Sequence, residues 1–386
     1  MDNGSSKPSR IGRLVLENWR NFRQVDAQLQ RRTFLVGPNA SGKSNLLDAL
    51  RFLRHLVRVG GGFQDALASR GGVSRLRCLA ARRHPDIRIH VGILGDDGTE
   101  AWTYELAFGQ DNLRRGKIQR ERITRHGTVI LDRPDSDDQA DPERLTQTRI
   151  EQVQANQEFR EIAAFFGSIQ YRHLVPQLVR EPDRSVGRRD DPFGGDFLEQ
   201  IAATSSKTRD SRLRRIGQAL RIAVPQLKEL ELTRDSRGVP HLRGKYEHWR
   251  PKGSWQFEED FSDGTLRLLG LLWSILDRSG PLLLEEPELS LHSGIVRLLP
   301  QLFARVQKRS GRQIVISTHS PELFQDSGVG LDEVLLLTPS SEGTQVRNAT
   351  EVRDIGELLA GGVSLADAIM PHTRPRGVEQ LTLWDG

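Results

Sequence analysis

The sequence lacks the features that mark secreted, membrane and fibrous proteins. One cysteine, Cys78, occurs in 386 residues, which excludes an internal disulfide framework and fits a reducing compartment. No segment approaches the roughly 18 consecutive apolar residues of a membrane-spanning helix, and residues 1–7 lack the apolar stretch of a secretory signal. No heptad pattern persists through residues 130–250, which argues against a long coiled-coil arm. We therefore expect a cytoplasmic protein with no membrane partner.

Charge is unevenly distributed along the chain. Residues 281–386 hold 9 Lys/Arg against 14 Asp/Glu, and the preceding 280 residues hold 47 against 37. Basic character concentrated in one part of a chain indicates a polyanionic partner such as DNA, since phosphate contacts supply most non-specific affinity for nucleic acids. Interspersed charges on an ordinary solvated surface give the same count, so composition leaves both interpretations open.

The N-terminal region has the pattern of a strand, a glycine-rich turn and a helix. Apolar runs at residues 14–16 and 33–36 predict two strands, the second short and buried. Over residues 44–59, apolar side chains recur at helical spacing. Residues 87–131 alternate short β-like runs with turns, which predicts an antiparallel meander.

The middle and the end of the chain are less regular. Residues 132–142 are predicted to form a polar, mobile connector. Helical patches are expected at 143–166 and 196–223, on either side of a stretch rich in Pro, Arg, Gly and Asp. Alternating strands and helices resume from about 255 to 338, and residues 355–369 predict a short helix interrupted by glycines.

Residues 37–44 fit the phosphate-binding pattern G-x-x-x-x-G-K-[ST] in its required setting, after an apolar strand and at the start of a helix. Glycines let successive backbone N–H groups turn inward around phosphates, and the helix N-terminus adds about half a positive charge. We expect Lys43 to neutralise β- and γ-phosphate oxygens and Ser44 to place its hydroxyl on Mg²⁺. The predicted nucleotide-binding residues are Gly37, Pro38, Asn39, Ala40, Ser41, Gly42, Lys43 and Ser44.

A second cluster lies at residues 282–286, where three leucines precede Glu285 and Glu286. Carboxylates at the end of such a buried strand project into the crevice where parallel sheets bind ligands. Because successive strand residues point oppositely, we expect Glu285 to serve Mg²⁺, directly or through water, and Glu286 to polarise the attacking water as general base. The plain alternative is an acidic turn after a core strand, which the phosphate-binding pattern disfavours.

Ser262 precedes an apolar helix and is a natural N-cap. A helix that starts Ser262-Asp263-Gly264 presents free N–H groups to an anion, and its position one helix upstream of the acidic strand favours that role over simple capping. His319 ends an apolar strand at 314–316 that we expect beside the strand of Glu286. A lone histidine is more often a structural residue than a catalytic one, but a neutral imidazole can hydrogen-bond both phosphate and water.

Five motifs in this order resemble the ABC-type ATPases, in particular their SMC/RecF-like branch. The matching segments are residues 16–22 and 37–50 (N-terminal pattern with Walker A), 262–265 (ABC signature), 285–292 (Walker B and D-loop) and 314–321 (switch-histidine strand). The matches cover roughly residues 11–55 and 257–337. The chain looks like a stand-alone AAA-family ATPase without a coiled-coil arm, TOPRIM domain or nuclease domain.

The resemblance implies an α/β fold of the P-loop NTPase class: an ABC-ATPase head with a mixed central sheet, an antiparallel β lobe and a helical insertion. The expected parts are residues 1–131 (first ATPase lobe with Walker A and the meander), 132–255 (helical or irregular insertion that sets specificity), 256–340 (second ATPase lobe) and 341–386 (C-terminal tail).

The resemblance also implies how the site works. His319 would sense the γ-phosphate, while Ser262 and Gly264 would contact the γ-phosphate held by the other subunit's loop. ATP and Mg²⁺ would then join copies of the chain as a homodimer or higher homo-oligomer, and hydrolysis would separate them.

The sequence departs from the family pattern in places. The acidic pair is Glu-Glu rather than Asp-Glu, and the longer Glu285 favours a water-bridged Mg²⁺ contact. The glutamine that couples γ-phosphate to the distant lobe is not assigned, with Gln110 and Gln170 left open as candidates. Arg20 and Arg23 precede the loop, and they either touch nucleotide or DNA or form an ordinary exposed pair.

Two functions of different classes follow. The first is an ATP-gated machine that grips DNA in repair or genome defence. The alternative is an ATPase subunit of a bacterial anti-phage or toxin-type system that controls a separate effector. A transporter subunit comes third, because the middle insertion and the Ser-Asp-Gly-Thr signature argue against it. No nuclease-like acidic cluster follows His319, so any effector or nuclease is expected in another chain.

Arginine clusters in the insertion form a candidate DNA surface, with a solvated helix face or a surface for an acidic partner as the alternatives. They are Arg184, Arg188, Arg189, Arg209, Arg212, Arg214 and Arg215.

Overall fold

The computed structural model of the protein describes residues 8–81, 86–184, 191–248, 254–277 and 280–374. They divide into two compact units. The first unit holds the described residues within 1–170, 279–283 and 304–386, and the second unit holds those within 171–278 and 284–303. Arg188, Arg189 and the side chain of Arg184 lie outside the described residues. The four-part division expected from the sequence stays a prediction.

The strands, in chain order, have the following bounds. They are β1 (Pro8–Trp19), β2 (Phe22–Gln28), β3 (Arg32–Val36), β4 (Ile87–Gly95), β5 (Glu100–Gln110), β6 (Gly116–Arg125), β7 (Thr128–Arg133), β8 (Gln170–Arg172), β9 (Leu227–Arg234), β10 (Pro240–Tyr246), β11 (Ser254–Phe257), β12 (Leu282–Glu285), β13 (Ile314–Thr318), β14 (Val334–Thr338) and β15 (Gln345–Asn348).

The α-helices are mostly short. They are α1 (Lys43–Val57), α2 (Phe63–Ala68), α3 (Val73–Leu76), α4 (Ser136–Ala140), α5 (Arg160–Ser168), α6 (Pro176–Val179), α7 (Phe197–Ala203), α8 (Ser206–Ala223), α9 (Asp263–Leu276), α10 (Ser293–Val296), α11 (Leu299–Ser310), α12 (Arg353–Ala360) and α13 (Leu365–Ile369).

The first unit contains a six-stranded antiparallel sheet in the order β2-β1-β4-β5-β6-β7. This confirms the meander predicted for residues 87–131. In β5, buried Tyr104, Leu106 and Phe108 alternate with half-exposed residues, as a sheet with one covered face requires.

A mixed sheet has the order β15-β14-β3-β13-β12-β8. Strand β3 runs parallel to both β13 and β14. All residues of β3 and β13 are buried, in agreement with their unbroken apolar runs. Since β13 neighbours β12, the strand before His319 lies beside the strand of the acidic pair, as predicted. Strand β12 starts in the first unit, where Leu282 N–H donates to the Gln313 carbonyl at 2.9 Å.

The second unit packs helices against a three-stranded antiparallel sheet in the order β11-β10-β9. Helix α8 buries Leu213, Ile216, Gly217 and Leu220, a spacing that aligns one helical face with a core. The helical patch predicted at 196–223 is confirmed by α7 and α8. The sheet was not predicted, because the charged residues of its open face interrupt the apolar pattern.

Residues 132–142 are not the mobile connector that the sequence suggested. The Arg133 side chain is fully buried and pairs with Glu121 at 2.9 Å and with Asp138 at 2.8 Å. Asp135 caps α4 by accepting from the Asp138 N–H. The polar composition misled the prediction because Arg133 and Asp138 pair inside the protein and anchor a segment whose other residues are at least partly exposed. The patch at 143–166 is also shorter than expected, since α5 begins only at Arg160.

The glycine-interrupted helix expected within 355–369 is confirmed as α12 and α13, with Gly362 at a φ of 84° between them. Among the described residues, no helix combines the length and the apolar composition needed to cross a membrane.

Replacement of Arg133 tests the buried charge cluster. Arg133→Ala leaves two buried carboxylates without their cationic partner. We therefore expect the free energy of unfolding, measured by urea denaturation, to fall by about 3–5 kcal/mol. The exposed pair Arg353–Glu357 provides the control, because Arg353→Ala should cost less than about 0.5 kcal/mol.

The same cluster predicts a pH dependence. The hydrogen bond from Arg133 lowers the pKa of Asp138 to about 2. The contribution of this pair is therefore fully present above about pH 4 and is lost as the pH falls towards 2. Equal stability of Arg133→Ala and the parent at pH 7 would contradict this assignment.

Candidate functional site

The glycine-rich loop lies between β3, which ends at Val36, and α1, which begins at Lys43. The predicted order of strand, turn and helix is therefore confirmed. Ala40 and Gly42 have φ angles of 61° and 98°, in the left-handed region that favours glycine. A Cβ on Gly37 would lie 2.4 Å from the Leu337 carbonyl oxygen. Glycine at 37 is thus required by close backbone approach and glycine at 42 by conformation.

The polar groups of the loop fit a bound polyphosphate. The ammonium of Lys43 donates to the carbonyl oxygens of Gly37 at 2.9 Å and Pro38 at 3.1 Å, so it points back into the loop. The Ser41 hydroxyl is buried and has no hydrogen-bond partner among the described residues. Ser44 is exposed in the first turn of α1, where a helix N-terminus favours anions.

Asn21 holds the loop from outside. Its amide nitrogen donates to the Ser41 carbonyl at 3.0 Å and to the Thr344 hydroxyl at 2.7 Å, and its amide oxygen accepts from Asn45 at 2.7 Å. A Cβ on Gly42 would lie 2.1 Å from the Asn21 amide nitrogen. The segment 16–22 was matched to the family pattern, but nothing in the pattern alone assigned Asn21 this contact.

The two arginines near Asn21 bind carboxylates of the chain itself. Arg20 pairs with Asp48 at 3.0 Å, and Arg23 pairs with Glu342 at 2.8 Å. The Arg20 pair supports α1, which also receives the Trp19 indole N–H on the Asn45 carbonyl at 2.9 Å. These contacts favour a structural role for Arg20 over direct contact with nucleotide or DNA.

The acidic strand ends before Glu286, whereas the sequence predicted a strand that ends in both carboxylates. Strand β12 stops at Glu285, and Glu286 has a φ of 45°, which is uncommon for a residue other than glycine. The Glu286 carbonyl accepts from the Leu289 N–H at 3.2 Å. The orientation of Glu286 is therefore set by a turn, and the inference from strand alternation does not apply to it.

Glu285 contacts Tyr171, which belongs to β8, and His173, which follows this strand. The Tyr171 hydroxyl donates to the Glu285 carboxylate, and the His173 ring nitrogen Nδ1 lies 3.3 Å from the Glu285 carbonyl oxygen. The sequence did not point to Tyr171, because β8 is only three residues long and carries no motif.

A small cavity of about 30 Å³ in the second unit is lined by Glu285, Glu286, His173 and Arg267, among others. A cavity of about 10–15 Å³ can already hold a water, so a water has room beside the proposed general base. Burial lowers the pKa of Arg267, while the charges of Asp263, Glu286 and Glu288 oppose this effect. The cavity thus combines carboxylates with a half-buried cation.

The signature segment starts a helix as predicted. Ser262 is the N-cap of α9 and accepts from the Thr265 N–H at 3.2 Å. A Cβ on Gly264 would lie 2.5 Å from the Ser290 carbonyl oxygen. The second unit therefore places the start of α9 directly against the turn that follows Glu286.

The remaining candidates belong to the first unit. His319 is half-buried and directly follows β13. Gln110 accepts from the Ser74 hydroxyl at 2.8 Å, and Gln170 accepts from Arg312 at 2.9 Å. These contacts do not assign the coupling glutamine to either position.

The fold and the motifs define a P-loop ATPase of the ABC type, in the SMC/RecF-like branch. The chain belongs to the family described as AAA domain, putative AbiEii toxin, Type IV TA system, which matches residues 32–325.

Two curated relatives are the DNA replication and repair proteins RecF of Pasteurella multocida and Vibrio parahaemolyticus. The first is 43% identical over 107 residues, which cover 28% of this chain and 25% of the relative. The second is 30% identical over 110 residues, which cover 28% and 26%. The chain thus matches about a quarter of the length of these relatives.

Two solved structures share the fold. An SMC head bound to the C-winged helix domain of ScpA has 14% identity and a TM-score of 0.54, with 87% of this chain and 96% of that chain covered. An Smc head with an extended coiled coil, bound to the C-terminal domain of ScpA derived from Pyrococcus furiosus, has 13% identity and a TM-score of 0.53, with 91% and 99% covered.

Replacement of Asn21 tests its support of the phosphate loop. Asn21→Ala leaves the Ser41 carbonyl and the Asn45 amide without this partner, so we expect ATP affinity to fall by about tenfold, measured by calorimetry. Arg23→Ala removes a neighbouring exposed ion pair and should leave the affinity within about twofold. Unchanged ATP binding by Asn21→Ala would show that the loop keeps its shape without this carboxamide.

Proposed function

We propose that the chain hydrolyses ATP with Mg²⁺, that ATP joins two copies of it, and that the joined copies act on DNA in repair or genome defence. The supporting observation is the second unit, where the Ser262-capped start of α9 packs against the turn that follows Glu286. Because these two segments are in contact, we expect phosphate binding at the signature to affect the position of Glu286. A second copy is required because, in this family, the signature contacts the nucleotide of the other subunit.

Each residue has a defined task in this proposal. The loop from Gly37 to Ser44 holds the phosphates, with Lys43 neutralising their charge. Ser44 and Glu285 would hold Mg²⁺, which when bound neutralises phosphate oxygens. Glu286 accepts the proton of the attacking water. Ser262 and Gly264 would receive the γ-phosphate of the partner copy, and His319 would hydrogen-bond the same phosphate.

Loss of the general base tests the ATP-dependent assembly. We expect Glu286→Gln to keep ATP affinity, to slow hydrolysis by at least about tenfold, and to accumulate a dimer in ATP that light scattering detects. Adding Lys43→Ala to this variant should abolish both ATP binding and the dimer. Normal turnover by Glu286→Gln would exclude Glu286 as the base.

DNA binding is supported by the outer face of α8. This face exposes Lys207, Arg214 and Arg215. By contrast, Arg209 pairs with Asp210 at 3.1 Å, and the Arg212 guanidinium carbon lies 5.3 Å from the centre of the Trp273 ring. Exposed cations on one helix can contact successive phosphates of a duplex.

Neutralising this face tests the DNA proposal. The double variant Arg214→Ala/Arg215→Ala should weaken duplex binding and reduce the slope of log affinity against log salt by about 2, measured by fluorescence anisotropy. The matched control is Lys308→Ala/Arg309→Ala, an adjacent exposed pair at the end of α11, which should bind like the parent. Identical salt slopes for both double variants would exclude α8 as the DNA surface.

The alternative function is an ATPase that regulates a separate effector in a toxin-type system. The family description, which names a putative toxin, favours it. A regulator of this kind would show no DNA affinity in the salt titration and would purify with a second protein, whereas a DNA-acting machine would bind duplex in a manner that ATP changes.

A further inference from the structure

The start of α9 carries a negative charge where a phosphate is proposed to bind. Asp263 is the first residue of α9, directly after the cap Ser262 and before Gly264. A carboxylate in the first turn stabilises the helix itself, because it complements the helix dipole. The same charge repels an incoming phosphate. The signature of this chain therefore needs a cation to offset Asp263.

Arg180 provides that cation. Its guanidinium nitrogen Nη2 lies 2.6 Å from the Asp263 carboxylate and also 2.6 Å from the Phe261 carbonyl oxygen, to which it donates. One nitrogen thus bridges the residues on the two sides of Ser262. The side chains of Arg180 and Asp263 are 24% and 39% exposed, so the pair lies within reach of an anion that docks from solvent.

The second cation near Asp263 is Arg267, whose charge is shared with other carboxylates. Arg267 lies one turn further along α9, and its attraction is shared among Asp263, Glu286 and Glu288. Its Nε is buried without a hydrogen-bond partner among the described residues. Helix initiation does not need Arg180 either, because Ser262 already caps α9 through the Thr265 N–H. The contact of Arg180 with both sides of the cap therefore points to a role in anion binding.

We propose that Arg180 is a positioning residue, which neutralises Asp263 and fixes residues 261–263 so that Ser262 and Gly264 can receive the γ-phosphate held by a second copy of the chain. This inference rests on the proposed function. The inference assigns Arg180 to the signature and not to the phosphate loop, so we expect each copy to bind its own nucleotide with the same affinity when Arg180 is replaced. Without Arg180, the Asp263 charge opposes assembly, and salt screens this opposition because both groups are partly exposed.

The test measures ATP-dependent dimerisation of the full chain in the Glu286→Gln background by light scattering. We expect Arg180→Ala to weaken association by about tenfold or more, since a charge-assisted contact is lost and a repulsive charge is uncovered. The defect should shrink at high salt. Adding Asp263→Asn to Arg180→Ala should restore association to within about threefold of the parent, because the repulsion is removed. Arg180→Lys should keep most of the association.

Separate readouts distinguish assembly from folding. Binding of a fluorescent ATP analogue at low protein concentration should be the same for every variant, because the loop of each copy is intact. Asp263→Asn alone, which keeps Arg180, should associate at least as tightly as the parent. If Arg180→Ala does not fold, this variant still tests the proposal. Arg237→Ala breaks the exposed pair with Asp183 in the same unit and should have no effect.

The outcomes separate this inference from the proposed function. If the Glu286→Gln parent does not associate in ATP, both fail. If the parent associates and Arg180→Ala associates equally well, the positioning role alone is wrong. It is also wrong if Asp263→Asn fails to rescue Arg180→Ala, or if Asp263→Asn alone weakens association, because a purely structural contact would then explain the defect.

Discussion

The carboxamide of Asn21 joins segments that are far apart in the sequence, and the shape of the phosphate loop depends on it. It binds the Ser41 carbonyl, the Thr344 hydroxyl and the Asn45 amide. The loop itself includes left-handed positions at Ala40 and Gly42, which cost energy for a residue with a side chain. External hydrogen bonds offset that cost. In the proposed function, nucleotide affinity and each ATP-dependent step therefore rest on this small network.

Three further interactions join a carboxylate to a donor from another part of the chain. Arg133 matches Glu121 and Asp138 in the core, Tyr171 binds Glu285, and Arg180 binds Asp263. An uncompensated buried charge is costly, and an uncompensated exposed one changes what the surface attracts. The Arg133 cluster bears on stability, and the contacts of Glu285 and Asp263 bear on phosphate binding in the proposed function.

The two candidate functions share the ATP-dependent step and differ in the surface that responds to it. The family description names a putative toxin, whereas the curated relatives are named for DNA replication and repair. This chain matches about a quarter of the length of each of those relatives. The second unit carries both the signature helix α9 and the exposed cations of α8. Both proposals therefore place the signature and the candidate partner surface in the same unit.

The sequence by itself determined the phosphate loop, the Ser262 cap, the apolar strand before His319 and the family, because each depends on local spacing of glycines, caps and apolar runs. Only the tertiary structure decided the inward burial of Arg133, the turn at Glu286, the sheet β9–β11 and the partners of Asn21, Tyr171 and Arg180. These depend on contacts between residues far apart in the chain. A charged residue looks the same in sequence whether it faces water or a buried partner, so local patterns cannot distinguish the two.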